Sequence, residues 1–394
     1  MKPIYIAAYQ QSKFGKLLGA TVPEIIRTAA EETCRSVKAE CSAVDVATIG
    51  AVCNLTLNEQ GLLSGLLAAT PGLDAKPIES VENACATGGQ AILAVAQKLM
   101  LGDGNVGLAV GFEKMRDAEG KMDGKLVGKV LGFYSHPDER PGKVFVFPHL
   151  FAEVMKAYMD GWGVSEEDLT AIAVAEYENA RKNPFAQMQR NEVTLEAAMR
   201  IEGINRYVVE GLPLKTYDAS QISDGWAGML LATEEGLVKL GVAKADCVRL
   251  AGWGQATDPL KKEGRDVLRP KAALEAMRKA YDRAGLCPDS VNVAEVHDCF
   301  SVMGAIGAEV IGKAEFGKGA RYWREGKARV EGECGINTSG GLIAKGHPIG
   351  ATGIAMVGWC AWQLLGKVPK ELQVPSPRAA ATFNIGGAVL TPAG

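Results

Sequence analysis

Cys85 is surrounded by small residues, and its setting suggests covalent chemistry. It lies in residues 82–90 (ENACATGGQ), where an extended segment meets an almost uncharged helix predicted over 84–101. Backbone N–H groups at a helix N-terminus stabilise a thiolate and lower the pKa of a cysteine from about 8.5. The segment therefore offers Cys85 as a nucleophile for a carbonyl carbon. These residues alone also allow a second interpretation, in which Cys85 is a small hydrophobic side chain buried in the core.

A histidine has the corresponding place in the second half of the chain. His347 lies in the glycine-rich run 337–353 (NTSGGLIAKGHPIGATG), at the start of a second uncharged helix predicted over 346–365. Paired helix starts in a duplicated core should face each other, so we expect His347 beside Cys85. A neutral imidazole there could deprotonate the thiol. A hydrogen-bonded core histidine, or a turn that needs positive φ, is the plainer interpretation.

Two further segments carry groups that could assist. Residues 295–300 (EVHDCF) end a strand predicted over 293–300, and alternation along it places His297 and Cys299 on one face and Asp298 on the other. A metal site is the rival interpretation of this box, because all three are ligand types. The strand predicted over 379–385 runs into Gly386-Gly387, whose backbone N–H groups could form an oxyanion hole.

The composition excludes several classes of function. The chain has 43 basic and 46 acidic residues among 394 and a formal charge of −3, which gives no basic surface for nucleic acid or a membrane. Nine cysteines include no Cys-x-x-Cys pair, which argues against a zinc or iron–sulfur site. No signal peptide is apparent. The uncharged stretch 348–366 is interrupted by proline and glycine and predicts a buried helix rather than a membrane span. We expect a cytoplasmic protein with reduced thiols.

The order of predicted elements is repeated. Helix, strand, uncharged helix and glycine-ended strand occur once in each half, which indicates a duplicated α/β unit. The two uncharged helices would form the central layer of an α/β/α/β/α sandwich. We expect an N-terminal half over 1–114 plus 211–262, an inserted, mainly helical loop domain over 115–210, and a C-terminal half over 263–394.

Taken together, these segments resemble the thiolase superfamily over essentially the whole chain. The Gly346-His347-Pro348 loop is the most specific motif. The box at 297–300 (HDCF) resembles the sterol-carrier-protein-type branch, because the common thiolases have Asn-Glu-Ala-Phe there. Many thiolases also carry Cys-x-Gly near the C-terminus, where this chain has Asn384-Ile385-Gly386. The resemblance makes Cys299 the natural replacement for the missing second cysteine.

The resemblance implies an acyl-CoA C-acyltransferase that catalyses reversible, CoA-dependent Claisen condensation or cleavage of 3-ketoacyl-CoA. Cys85, activated by His347, would carry the acyl group, and Cys299 would exchange a proton at the acetyl α-carbon. His297 and His347 would stabilise the thioester oxygen of acetyl-CoA. The backbone N–H groups of Cys85 and Gly386 would hold the oxyanion of the acyl-enzyme tetrahedral intermediate.

The resemblance also implies partners. Ser220, in the segment 218–225 (DASQISDG), matches the family serine that contacts the pantetheine of coenzyme A. CoA and acetyl-CoA are expected as substrates, with no tightly bound cofactor and no metal. A homodimer or tetramer is expected.

Two alternatives stay open at this point. One is a thiolase-like subunit that needs a small partner protein for activity, and the other is a Cys–His acyl-CoA thioesterase. Cys299 discriminates against the second, because hydrolysis needs no acid or base at the α-carbon. Acyl chain length and the direction of flux cannot be predicted from these residues.

Overall fold

The first half of the chain builds a six-stranded sheet in the computed structural model, which describes residues 2–386 and 389–391. Its order is β3-β2-β4-β5-β1-β6. Strand β2 pairs in parallel with β3 and β4, and β5 lies antiparallel between β4 and β1. In chain order, the elements of this half and its insertion are β1 (Tyr5–Gln11), α1 (Val22–Arg35), β2 (Val46–Gly50), α2 (Asn54–Leu57), α3 (Leu63–Ala68), β3 (Ile78–Val81), α4 (Thr87–Leu101), β4 (Val106–Glu113), α5 (Gly124–Gly132), α6 (Val146–Trp162), α7 (Glu166–Lys182), α8 (Leu195–Met199), β5 (Gly225–Ala232), α9 (Glu234–Leu240) and β6 (Val248–Arg249).

The second half builds a five-stranded sheet in the order β7-β11-β10-β8-β9. Strand β8 is parallel to β9 and β10, and β11 is antiparallel to β10 and β7. The elements are β7 (Ala256–Thr257), α10 (Lys271–Ala284), β8 (Val293–Val296), α11 (Ser301–Val310), α12 (Gly319–Arg324), β9 (Gly335–Ile336), α13 (Ile349–Leu364), β10 (Ala380–Gly386) and β11 (Val389–Thr391).

Helices α4 and α13 form the layer between the sheets, as predicted. Ile92 of α4 and Ile354 of α13 pack in one cluster with Met229 of the six-stranded sheet. On another face of α13, Met356 packs in a cluster with Phe383 of the five-stranded sheet. Amphipathic helices cover the outer faces, among them α1 on the first sheet and α10 on the second. The layered α/β fold is therefore confirmed. No helix among the described residues is long and apolar enough to cross a membrane.

The central helices touch backbone to backbone near their N-termini. A Cβ on Gly88 would lie 2.8 Å from the Gly353 nitrogen, and one on Gly353 would lie 2.2 Å from the Gly89 nitrogen and 2.5 Å from Asn384 Oδ1. Only glycine permits this approach. Glycine makes up 47 of 394 residues, against a usual ~7%, and these positions account for part of that excess.

Gly353→Ala should therefore destabilise the fold by about 3 kcal/mol or more, because the new methyl group meets backbone that cannot move aside. Urea unfolding of both proteins measures this. Gly65→Ala in α3 is the matched control, since its methyl group would meet only the Leu62 side chain, at 3.5 Å. We expect that variant to unfold within about 1 kcal/mol of the wild type. Equal midpoints for both variants would contradict the close helix contact.

Candidate active site

The site lies where both central helices begin. Cys85 is half-buried and precedes α4 by two residues, and His347 precedes α13 by two residues. His297 follows the end of β8. One donor atom from each of these three side chains lies within 4.8 Å of the other two. The imidazole rings of His297 and His347 meet edge to face with centroids 5.2 Å apart.

The turn that carries Cys85 is strained. Ala84 has a φ of +42°, a value that costs a non-glycine residue free energy and occurs preferentially at functional sites. The Thr87 hydroxyl locks the turn, because it donates to the Ala84 carbonyl at 2.7 Å and accepts from the Asn83 N–H at 2.8 Å. Helix α4 thus begins at Thr87, later than the 84–101 prediction, and Cys85 lies on the turn that leads into it.

Hydrogen bonds determine the proton position on His347. Its Nδ1 lies 2.7 Å from the Thr352 hydroxyl, which itself donates to the Pro348 carbonyl at 3.0 Å. A hydroxyl has one proton, so Thr352 accepts from Nδ1–H. The Nε2 atom then carries a lone pair. It is buried and has no hydrogen-bond partner in the described part of the chain, so it is free to act as a base.

Asn384 fixes the opposite tautomer on His297. Its Nδ2 donates to the Cys85 carbonyl at 3.0 Å and lies 3.1 Å from Nδ1 of His297. A carbonyl oxygen only accepts, so this amide end is the NH₂ group, and His297 Nδ1 must accept its second hydrogen. The proton of His297 therefore sits on Nε2. One imidazole offers a base and the other a hydrogen-bond donor.

The shifts in pKa leave Cys85, His297 and His347 uncharged, and the expected lowering of the Cys85 pKa is wrong. Burial, with smaller effects from Glu113 and Glu82, raises the pKa of Cys85 to about 12, whereas the sequence predicts a lowered pKa. Desolvation outweighs the helix N-terminus here. Burial and the nearby Lys345 lower the pKa of His347 to about 3, and burial holds the pKa of His297 well below its usual value. Thiol and imidazoles are therefore uncharged at neutral pH.

These pKa directions predict how Cys85 reacts with iodoacetamide. A raised thiol pKa leaves the thiolate scarce, so the alkylation rate should climb about tenfold per pH unit from about pH 6 to 9 without levelling off. Peptide mass spectrometry measures this site by site. Exposed Cys287, whose pKa is lowered by hydrogen bonds from Ser290, is the internal control and should level off first. A plateau for Cys85 near neutral pH would show an ion-paired thiolate instead.

An apolar cavity of about 180 Å³ lies between the predicted site residues. We call it the catalytic cavity. It is lined by Cys85, His297, Cys299, His347 and Ser220, among others. The Ser220 N–H donates to the Cys299 carbonyl at 2.9 Å. Burial and the neighbouring Cys85 hold the pKa of Cys299 well above its usual value, so this side chain rests as a protonated thiol.

Asp298 points away from this cavity. Its carboxylate accepts from the N–H of Leu342, at 2.8 Å, and of Ile343, at 3.1 Å. Strand β8 stops at Val296, short of the predicted 300, and the chain turns here so that these bonds can form. Burial and the Asp298 carboxylate raise the pKa of Glu176 well above its usual value. Asp298 thus anchors the π-helical turn Gly341–Lys345 just before His347.

The Asp298 carboxylate is engaged by the N–H groups of Leu342 and Ile343, so it does not join His297 and Cys299 as a ligand of one metal ion. Among the described residues, the metal-ligand types that do cluster are Cys85, His297 and His347. The arrangement suits proton transfer to a substrate held between these groups.

Sequence reasoning assigned no role to Thr352, Ser223 or Glu113. The Ser223 hydroxyl accepts from the His347 N–H at 2.9 Å. Buried Glu113, whose pKa burial raises to about 7, accepts from the N–H of Cys53 and of Gly350, both at 3.2 Å. Of these three residues, only Thr352 could have been found from the sequence, because it lies in the first helical turn after His347. Ser223 and Glu113 lie far from His347 along the chain.

The predicted oxyanion glycines are only partly described. Gly386 ends β10, where it pairs with Val389, and it follows Ile385, which lines the catalytic cavity. Gly387 lies outside the described residues. Cys85 and β10 are linked through Asn384, so this strand end lies at the same site.

Comparison with known proteins finds matches over nearly the whole chain. Residues 4–235 match the family profile "Thiolase, N-terminal domain", and residues 254–393 match "Thiolase C-terminal domain-like". An acetyl-CoA acetyltransferase of Methanothermobacter thermautotrophicus is 32% identical, over 98% of this chain and 97% of that protein. Human sterol carrier protein 2 is 30% identical, over 99% of this chain and 71% of its own length.

Two further matches are described as parts of assemblies. The benzoylsuccinyl-CoA thiolase subunit BbsB of Thauera aromatica is 29% identical, over 98% of this chain and 95% of that protein. The solved structure titled "Ltp2-ChsH2(DUF35) aldolase" superposes with a TM-score of 0.80 at 18% identity, covering 99% of this chain and 97% of that one. The likeness to this structure shows the fold.

Proposed function

The chain belongs to the thiolase family, and on that premise we propose that it transfers acyl groups through a thioester on Cys85. It is an acyltransferase that uses CoA thioesters as substrates, and its HDCF box agrees with its likeness to sterol carrier protein 2. The observation that carries the proposal is the shared cavity. Cys85, His297, Cys299 and His347 all line it, and they supply two thiols, a free imidazole nitrogen and an imidazole N–H.

Cleavage of a 3-ketoacyl-CoA would begin with attack of Cys85 Sγ on the keto carbon. His347 Nε2 takes the thiol proton as the carbon–sulfur bond forms, because the two pKa values disfavour a separate thiolate–imidazolium pair. The backbone N–H groups of Cys85 and Gly386 hold the resulting oxyanion in this proposal. The carbon–carbon bond then breaks, and its electron pair leaves as the enolate of acetyl-CoA.

The leaving enolate needs a proton at its α-carbon and a hydrogen-bond donor to its oxygen. The protonated thiol of Cys299 gives its proton to the α-carbon, and Nε2–H of His297 stabilises the enolate oxygen. The thiol of CoA then gives its proton to the Cys299 thiolate and attacks the Cys85 thioester. The shortened acyl-CoA is released as the proton on His347 returns to the Cys85 sulfur. Ser220 in the same cavity would contact the pantetheine of either CoA. Condensation is the same sequence reversed.

A thioesterase is not favoured by these findings, because hydrolysis needs no proton transfer at the α-carbon and would give Cys299 no role. Dependence on a partner protein stays a proposal. It is supported by the similarity to a protein named as a subunit. A homodimer or tetramer, cytoplasmic location, and the division into two halves with a loop domain at 115–210 also stay predictions. Size-exclusion chromatography with light scattering tests the oligomeric state.

The proposed function is tested by measuring how much of the acyl group is transferred to CoA and how much is hydrolysed. With acetoacetyl-CoA and CoA, we expect two acetyl-CoA molecules per substrate consumed, and transfer at least about 10²-fold faster than loss to water. Free acetate or acetoacetate as the main product would instead show a thioesterase. If neither product forms until a second protein is added, the chain is a partner-dependent subunit.

A further inference from the structure

A second cavity adjoins the catalytic cavity beside α6. Its volume is about 120 Å³, and we call it the side cavity. The two cavities share four lining residues, Tyr134, Phe147, Phe151 and Ile385. These four side chains therefore border both cavities. An acyl group on Cys85 lies in the catalytic cavity, next to the side cavity.

The side cavity is built to hold an alkyl chain. Helix α6 contributes Phe147, Leu150, Phe151 and Val154, whose spacing of i, i+3, i+4 and i+7 makes one apolar stripe. Phe151 is fixed in place by stacking on Phe300, with ring centroids 4.8 Å apart. An apolar lining of this kind favours burial of methylene groups.

Arg265 is the polar group of this cavity that has unused hydrogen-bond donors. Its Nη2 lies 3.4 Å from Asp258 Oδ2, and its Nε is buried without a partner in the described part of the chain. Lys262, the other cation of the lining, is already satisfied: its ammonium pairs with Glu153 and its backbone N–H donates to Glu139 at 2.9 Å. A buried donor without an acceptor is costly, so the unpaired N–H of Arg265 is available to an acceptor on a ligand.

The charges around Arg265 favour a neutral acceptor. Asp258 lies beside the guanidinium, Glu153 neutralises Lys262, and Glu139 also lines the cavity. A carboxylate on the ligand would add a further negative charge to a group that already has three carboxylates and two cations. A carbonyl or hydroxyl oxygen accepts the same hydrogen bond without that cost.

We propose, on the basis of the function proposed above, that the side cavity takes the distal part of the acyl group and that Arg265 hydrogen-bonds a carbonyl or hydroxyl oxygen there. The substrates are then 3-ketoacyl-CoAs whose chain carries an uncharged oxygen near its far end. Arg265 acts as a specificity-determining residue that touches the substrate away from the bond that breaks.

The experiment compares 3-ketoacyl-CoAs of increasing chain length, each as the plain alkyl, ω-hydroxy and ω-carboxy form. At the length that reaches Arg265, the wild type should cleave the ω-hydroxy form with a kcat/KM about tenfold above the plain form and above the ω-carboxy form. Arg265→Met keeps most of the side-chain volume and removes every N–H, so that preference should vanish.

Lys262→Arg is the matched control, because it alters the other cation of the lining and keeps the ion pair with Glu153, and it should keep the preference. Acetoacetyl-CoA is too short to reach Arg265, so both variants should cleave it at about the wild-type rate, which also shows that they fold. Equal rates for plain and ω-hydroxy forms at every length, a preference for the ω-carboxy form, or a preference that survives Arg265→Met would overturn the proposal. Loss of all cleavage in the wild type would refute the proposed function instead.

Discussion

Cys299→Ala is expected to slow CoA-dependent cleavage of acetoacetyl-CoA by about 10³-fold while Cys85 still becomes acylated by acetyl-CoA at close to the wild-type rate. The thiol of Cys299 lies in the catalytic cavity with its pKa held well above the usual value by burial. It is therefore a proton donor placed for the α-carbon of a leaving enolate. Acylation of Cys85 by acetyl-CoA forms no enolate, so it needs no such donor.

The sharpest measurement for Cys299 is exchange of the acetyl-CoA methyl protons with deuterated water, followed by NMR. The wild type should catalyse this exchange, and Cys299→Ala should lose it. Cys334→Ala is the matched control, because Cys334 is another buried cysteine and lines neither cavity. If Cys299→Ala exchanged protons normally, another group would have to be the acid at the α-carbon.

His347→Ala should slow acylation of Cys85 by about 10³-fold, because it removes the buried Nε2 that takes the thiol proton. Stopped-flow measurement of CoA release from acetyl-CoA measures this step directly. The loss should shrink as pH rises, since hydroxide then deprotonates the thiol without help from the imidazole. A loss that is constant with pH would mean that His347 is needed for structure and not as a base.

Thr352→Val tests whether the tautomer of His347 matters for the reaction, while the imidazole ring stays in place. It keeps the shape of the side chain but leaves Nδ1–H of His347 without its acceptor, so acylation should slow by about tenfold with a changed pH profile. Thr33→Val makes the same chemical change in α1, where the hydroxyl donates to the Ala29 carbonyl. That control should leave both the rate and its pH dependence unchanged.

Much of the fold could be predicted because its signals are local. The central helices carry a single charged residue, Lys98 of α4, because both helices are largely buried, and the glycines of α4 and α13 mark where two backbones meet. The repeat of elements along the chain then places the start of each central helix at one site. That argument predicts Cys85 beside His347 without any knowledge of distances.

The protonation states could not be predicted from the sequence. The raised pKa of Cys85 depends on how fully the folded chain removes it from water and on Glu113, which arrives from the end of β4. The tautomer of His297 depends on Asn384, which is 87 residues away along the chain. Ala84 carries no sequence signal for positive φ, because glycine or asparagine would be the usual choice. The protonation states thus come from tertiary contacts between distant segments, whereas the Ala84 conformation belongs to the local turn that Thr87 closes.

The central claim is that Cys85 carries the acyl group. Incubation of the protein with acetyl-CoA, followed by peptide mapping with mass spectrometry, tests it most directly. We predict one acetyl group per chain, on the peptide that contains Cys85, absent from Cys85→Ala and removed again by added CoA. An unmodified Cys85 peptide, or an acetyl group on another cysteine that CoA discharges, would contradict the claim.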